Sequence, residues 1–301
     1  MSKSSVSQNI VFVVLFFCFL VIFTIIKFPR NSLEKRIITE IEQNAPFSIF
    51  IEDLEFNFPS SFKFKDVTLV TKGDSRIELK KVDIKASLLS LLTTGQLKIP
   101  FDAEVFDGEV DGTIYYLREE RRIGKVVANI DSIDSKSLPK LISKNSNIGL
   151  DGRLSGNMNI MIPLVNGKKM PSGSYFINSD SLTIKNFEIN KIKFDDEYKD
   201  LKAELSGSIS GLTTNIDRLS FVNNDIDLRF QGEMPTPWKI RQRSKIDLIM
   251  NLNIKSPKAK LALLKAFLSP QRDGSLRGRI FGPASSPKLV NSNKKINDSG
   301  I

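Results

Sequence analysis

Four basic residues recur at alternate positions in one short stretch: Lys239, Arg241, Arg243 and Lys245, with Trp238 beside the first. In an extended strand they line one face. A row of cations next to an indole suits phosphate groups, such as those of an anionic lipid, or an acidic surface on a partner. The same row equally serves as the solvated outer side of a sheet whose other side is apolar. Arg118, Arg121 and Arg122 flank Glu119 and Glu120 and read as a charged hairpin tip. Asp195, Asp196, Glu197 and Asp200 cluster without the glycine-containing ligand loop that calcium needs. No strand combines exposed aromatics with a basic groove, so no nucleic-acid partner is expected.

Absent residue types narrow the chemistry further. The chain of 301 residues contains no histidine, which excludes His-based zinc sites, Ser–His and Cys–His nucleophile pairs and imidazole general bases. Cys18 is the single cysteine and sits in the most apolar stretch, which removes internal disulfides and Cys₄ metal sites. The 34 acidic residues are spread evenly, and no pair stands out for glycosidase chemistry. A non-catalytic protein without metal or cofactor is the expectation.

What holds these residues in place starts with a membrane anchor. Ile10 to Ile26 is a run without a charge, about 26 Å long as a helix. Lys27 can snorkel, and Phe28 brings the span near the ~30 Å of a hydrocarbon core. The run meets Lys27, Phe28, Pro29 and Arg30 with no small-x-small cleavage site, so it reads as an uncleaved anchor. Lys3 precedes it, whereas Lys27, Arg30, Lys35 and Arg36 follow. Counted this way, the positive-inside rule places the bulk of the chain in the cytoplasm, although only nine residues precede the segment. Asn31 and Glu34 then form a capping pair ahead of Leu33, Ile37, Ile38 and Ile41, the apolar stripe of a short helix. That helix packs on the domain beneath it or lies in the membrane interface.

Beyond Ser48 the period becomes two, with an interruption that recurs. Ile49-Ile51-Leu54-Phe56, Phe62-Phe64-Val67-Leu69, Ile77-Leu79-Val82-Ile84 and Leu182-Ile184-Phe187-Ile189 share the pattern apolar-x-apolar-x-x-apolar-x-apolar. Plain alternation would send the second pair to the opposite face. The spacers Glu52-Asp53, Lys65-Asp66, Lys80-Lys81 and Lys185-Asn186 are all polar. A bulge or tight reversal there returns the apolar residues to one side. A curved sheet with one continuous apolar face follows, and Phe62, Phe64, Val67, Leu69, Leu182, Ile184, Phe187 and Ile189 are candidates for an apolar groove.

The rest reads as further antiparallel β. Asp107-Gly108 and Asp111-Gly112 mark turns within Phe101 to Tyr116, and Asn223-Asn224-Asp225 marks another. Strands are expected at Leu154–Ile162, Leu201–Ile209, Leu219–Phe221, Ile226–Phe230, Ile246–Ile254 and Ser275–Phe281. Short helices are expected at Ser87–Thr93, Leu138–Ser143 and Ser256–Leu268. From about Pro283 the composition is that of a disordered tail. The reading is a mainly β protein: flank 1–9, transmembrane helix 10–28, amphipathic helix 30–45, a curved antiparallel β-sheet-rich domain 46–282 with a few short helices, and tail 283–301.

Several stretches together resemble the type II secretion system protein N (GspN) family, in its longer, non-enterobacterial form. They are Lys27-Phe28-Pro29 and the helix to Ile41; Val82 to Gly95 followed by Phe101 to Gly112; Leu150 to Gly156; and Leu276-Arg277-Gly278 with Pro283 and Pro287. The resemblance spans nearly the whole chain but consists of apolar patterns and glycines. It extends more distantly to AsmA-like envelope proteins. What it implies is a single-pass bacterial inner-membrane protein with its bulk in the periplasm, against the charge count, working as an accessory part of the secretion machine beside its other subunits. The AsmA-like side implies instead a protein that shields lipid acyl chains on a curved apolar face.

Overall fold

The computed structural model describes residues 35, 39, 47–57, 61–71, 76–85, 96–117, 123–138, 148–163, 170–189, 192–194, 197–236, 244–256, 267–283 and 287–291. Strands dominate them: β1 (Phe47–Asn57), β2 (Ser61–Thr71), β3 (Arg76–Lys85), β4 (Gln96–Val105), β5 (Gly108–Leu117), β6 (Ile123–Asp134), β7 (Gly149–Pro163) and β8 (Ser172–Lys185). Then come β9 (Phe187–Ile189), β10 (Ile192–Phe194), β11 (Tyr198–Ser210), β12 (Thr213–Val222), β13 (Ile226–Pro235), β14 (Lys245–Ile254), β15 (Ser269–Pro270), β16 (Leu276–Pro283) and β17 (Lys288–Asn291). A single 15-stranded antiparallel sheet results, running in sequence order from β1 to β8 and on through β11 to β14. β16 follows, and its far edge is shared by β15 and β17. The β9–β10 hairpin stands outside this sheet, so β8 pairs directly with β11.

Local chemistry explains the meander. The β4–β5 connection has Phe106 and Asp107 at φ of 49° and 53°, the positive pair that a two-residue primed turn requires. Asn223 closes the β12–β13 turn by accepting from the N–H groups of Asp225 and Ile226 at 2.8 and 2.9 Å. Asp111-Gly112, expected as a turn, lies instead inside β5. Gly112 is there because space is lacking: a Cβ would fall 2.4 Å from the Val127 carbonyl oxygen and 2.9 Å from the Phe101 ring.

The interrupted pattern resolves clearly on β2. Asp66 takes a left-handed φ of 50°, and Phe64 and Val67 on either side of the spacer are both buried in one cluster with Leu54. Ile49, Ile51, Phe62, Leu69, Leu79, Val82 and Ile84 pack against it. Register from β1 to β2 and from β2 to β3 does not slip there, because each strand places its spacer opposite its neighbour's. Ser132 on β6 and Asp200 on β11, with φ of 55° and 52°, do the same between Ile130 and Ile133 and between Tyr198 and Leu201. A left-handed residue redirects a strand, so these spacers together draw a crease across the sheet.

A second cluster lies at the C-terminal end: Leu182, Tyr198, Leu201, Ile226, Met250, Leu252, Leu268, Leu276 and Leu289. It corrects the tail. The tail expected to be disordered from about Pro283 contains a strand, since β17 pairs with β16 and Leu289 is 6% exposed. Burying an aliphatic side chain of that size is worth about 1.5–3 kcal/mol, which adds to the ladder hydrogen bonds to β16 in holding this four-residue strand.

Among the described residues, no helix is long and apolar enough to cross a membrane. The expected anchor at 10–28, nearly all of the helix at 30–45, and the expected helix Ser87–Thr93 lie outside them. So does most of Leu138–Ser143 and Ser256–Leu268. A 3-10 turn at Ser135–Ser137, capped by the Asp134 carboxylate accepting from Lys136 N–H at 2.9 Å, comes just before Leu138.

Candidate functional site

The cross-strand pairs align into rows that run the length of the sheet. One row passes through Leu54, Phe64, Val82, Ala103, Val110, Ile130 and Gly156. It continues through Ile177, Leu205, Leu219, Phe230, Met250 and Gly278 on β16. Every member is apolar or glycine, and none is exposed. Directly opposite residues share a face, so these side chains form one stripe perpendicular to the strands.

A parallel row two residues along is alike except at Tyr175, whose hydroxyl donates to the Asn215 carbonyl at 3.3 Å. Phe62, Ile84, Phe101, Gly112, Ala128, Met158 and Tyr175 are succeeded by Gly207, Ile216, Gly232, Leu248, Ile280 and Leu289. A third, shorter row holds Ile99, Ile114, Val126, Ile160, Gly173 and Ile209. At ~4.8 Å per strand the two long rows extend roughly 55–60 Å along the sheet. Across the crease, Ile51, Val67, Leu79 and Val105 make a further row on the same face.

The opposite face is mostly polar, although Phe50 and Phe176 stand exposed on it. Asp53, Lys65, Lys81, Glu104, Glu109 and Asp131 occupy successive register positions, and so do Asp102, Asp111, Asn129 and Asn157. Lys65 binds the Asp53 and Glu55 carboxylates, and Lys81 lies 3.1 Å from Asp83. On β14 and β16, Asp247 accepts from Arg279 Nε at 2.6 Å, which holds the Asp247 carboxyl below its ordinary range. A hollow of about 490 Å³ beside this pair is lined by Gly232, Glu233, Asp247, Ile249, Gln271, Arg277 and Arg279. Its two carboxylates balance its two guanidiniums, so it does not select anions.

The expected groove residues divide as follows. Phe62, Phe64, Val67 and Leu69 are together in the first cluster, and Leu182 and Ile184 belong to the second. Phe187 and Ile189 lie in the β9–β10 hairpin beyond Asn186, whose φ is 55°. Of the basic row, Lys245 is exposed at the start of β14, opposite Pro283. Trp238, Lys239, Arg241 and Arg243 lie outside the described residues, as do Asp195, Asp196 and residues 118–122. Among the described residues no group of acidic or cysteine side chains is arranged to hold a metal.

Sequence reasoning missed the polar bracket along the crease. Arg153 on β7 donates through Nη1 to the Ser132 carbonyl at 2.9 Å and to the Asp107 carbonyl at 2.7 Å. Lys80 on β3 reaches the Asp107 carboxylate at 2.6 Å, and Asp134 N–H donates to the Phe106 carbonyl at 2.8 Å. The Lys80 hydrogen bond, helped by Arg153, lowers the Asp107 carboxyl from its ordinary range. The available signal was a short polar residue between two apolar ones at a spacing of three, Ile130-Asp131-Ser132-Ile133.

No protein-family model, curated protein or solved structure matches the chain.

Proposed function

We propose that this is a non-catalytic, membrane-anchored envelope protein whose β-sheet shields lipid acyl chains along its apolar face. The observation that carries the reading is the pair of unbroken apolar rows, from Leu54 to Gly278 and from Phe62 to Leu289. An acyl chain needs a surface from which every polar group is withdrawn. Here the backbone polar groups are consumed in strand pairing, while the charged side chains gather on the other face. The charge-free run from Ile10 to Ile26 supplies the second support, because it ties the sheet to a bilayer where such chains are at hand. Periplasmic placement rests on the family resemblance. Docking to type II secretion subunits, the other implication of that resemblance, shares the anchor and placement but gives the long rows no role.

Photo-cross-linking tests the reading. A benzophenone amino acid replaces Val126 or Ile114, two half-buried apolar-row residues, in the full chain within its own membrane. Lipid adducts at both positions, and none at Asn129 on the polar face, are expected. Adducts only to protein at Val126 and Ile114 would sink the acyl-chain reading and favour the docking one.

A further inference from the structure

We infer that Arg153 is the clasp of the crease, a positioning residue that sets the angle between the two wings of the apolar face. That this angle governs acyl-chain access rests on the function proposed above; the clasp itself does not.

An exposed arginine ordinarily pairs with a carboxylate or with water. Among the described residues, both hydrogen bonds found for Arg153 go instead to backbone carbonyls, and each carbonyl belongs to a residue of positive φ. Ser132 makes the crease in β6, and Asp107 makes the turn between β4 and β5. One nitrogen of β7 therefore joins two separate segments where each departs from extended backbone. Left-handed carbonyls point away from the ladder and lose their strand partners, so a fixed donor stabilises the bent form over the straight one.

Packing beneath the clasp agrees. A Cβ on Gly108 would lie 2.6 Å from the Asp131 carbonyl oxygen, the Ser132 carbonyl carbon and the Ile133 nitrogen. Turn and crease are thus in backbone contact with no side chain between them. Ser132 N–H donates to the Ser155 hydroxyl at 3.1 Å, and Ser132 Oγ donates to the Asp131 carboxylate at 2.8 Å. Lys80 holds the turn from the β3 side. The bracket therefore reaches from β3 to β7, while Ile130 and Ile133 stay on the apolar face to either side of the bend. Releasing Arg153 frees both carbonyls at once and lets the wings move relative to each other.

The test uses the full chain with Cys18→Ala, so that the only thiols are two introduced at exposed Asp151 and Asn159, on the two arms of β7. Spin labels there report the inter-arm distance with and without Arg153→Ala, and thermal unfolding checks that the variant folds. The expected result is a distance distribution displaced by a few ångströms or visibly broadened, with lipid adducts at Val126 changed severalfold. Arg153→Lys, which keeps a donor, is expected to lie between the two, and it carries the test if Arg153→Ala does not fold. An unchanged distribution in the folded variant overturns the clasp. A changed distribution with unchanged adducts overturns its link to acyl access. Absence of adducts in the unaltered chain overturns the lipid reading while the distance measurement still decides the clasp.

Discussion

Phe64 and Val67 stand three positions apart on β2, yet both face the apolar side of the sheet, 7% and 3% exposed within one cluster. In an uninterrupted strand one of them would face solvent. The left-handed Asp66 between them makes the difference.

Phe64→Asp and Val67→Asp should therefore both destabilise severely. Each places an unpaired carboxylate among apolar neighbours, at a cost of about 3 kcal/mol or more. Melting temperatures of both variants are the check. One severe and one silent substitution would mean that the spacer does not restore the facing.

Asp66 itself is exposed, so its conformation can be tested without disturbing the core. Asp66→Gly should be close to neutral, because glycine adopts positive φ freely. Asp66→Val should lose about 1–3 kcal/mol, since a β-branched residue resists that region. Denaturant midpoints for the pair separate backbone strain from lost side-chain contacts.

Gly108→Ala should destabilise by about 1–3 kcal/mol, the usual range for overpacking, because the new methyl meets only backbone and no rotamer can relieve it. Hydrogen exchange at Ile133 and Asp134 should rise more than exchange on β13. A uniform change across the sheet would mean that Gly108 is not specific to the crease.

Acid should weaken the Asp247–Arg279 contact in a defined direction. The folded carboxyl lies below its ordinary 3.8, chiefly through the Arg279 hydrogen bond. Its contribution is complete above the unfolded value and disappears as pH falls through the depressed folded one. Both side chains are more than a third exposed, so solvent limits the effect to less than about 1 kcal/mol. Stability of Asp247→Asn against the parent should converge at the acid end of a titration from pH 5 downward. A gap that widens there would contradict the assignment.

Deleting residues 10–26 should release the chain from membranes, whereas Cys18→Ala should leave its attachment unchanged. Sedimentation in high salt separates the outcomes. A truncated chain that still pellets would show that another segment is the main attachment.

Residue order alone determined a good deal. The missing histidine and lone Cys18 removed whole reaction classes, since chemistry that lacks its side chain cannot occur. The spacing Phe62-Phe64-Val67-Leu69 revealed both the strand and its interruption, because facing parity is a local property of the backbone. Asp107-Gly108 marked the hairpin for the same local reason. Asp111-Gly112 misled, because the identical dipeptide lies mid-strand wherever a neighbour such as Phe101 needs the space. Tertiary structure alone decided that Leu54 and Met250 share a row. That result depends on the register of every strand pair between them, and glycines such as Gly156 and Gly278 enter the row without any apolar side chain to advertise it. It alone also brought Arg153 to Ser132 and Asp107, 21 and 46 positions away in the chain. A hydrogen bond to a carbonyl leaves no mark in side-chain pattern, so the pairing becomes visible only once the strands have been laid side by side.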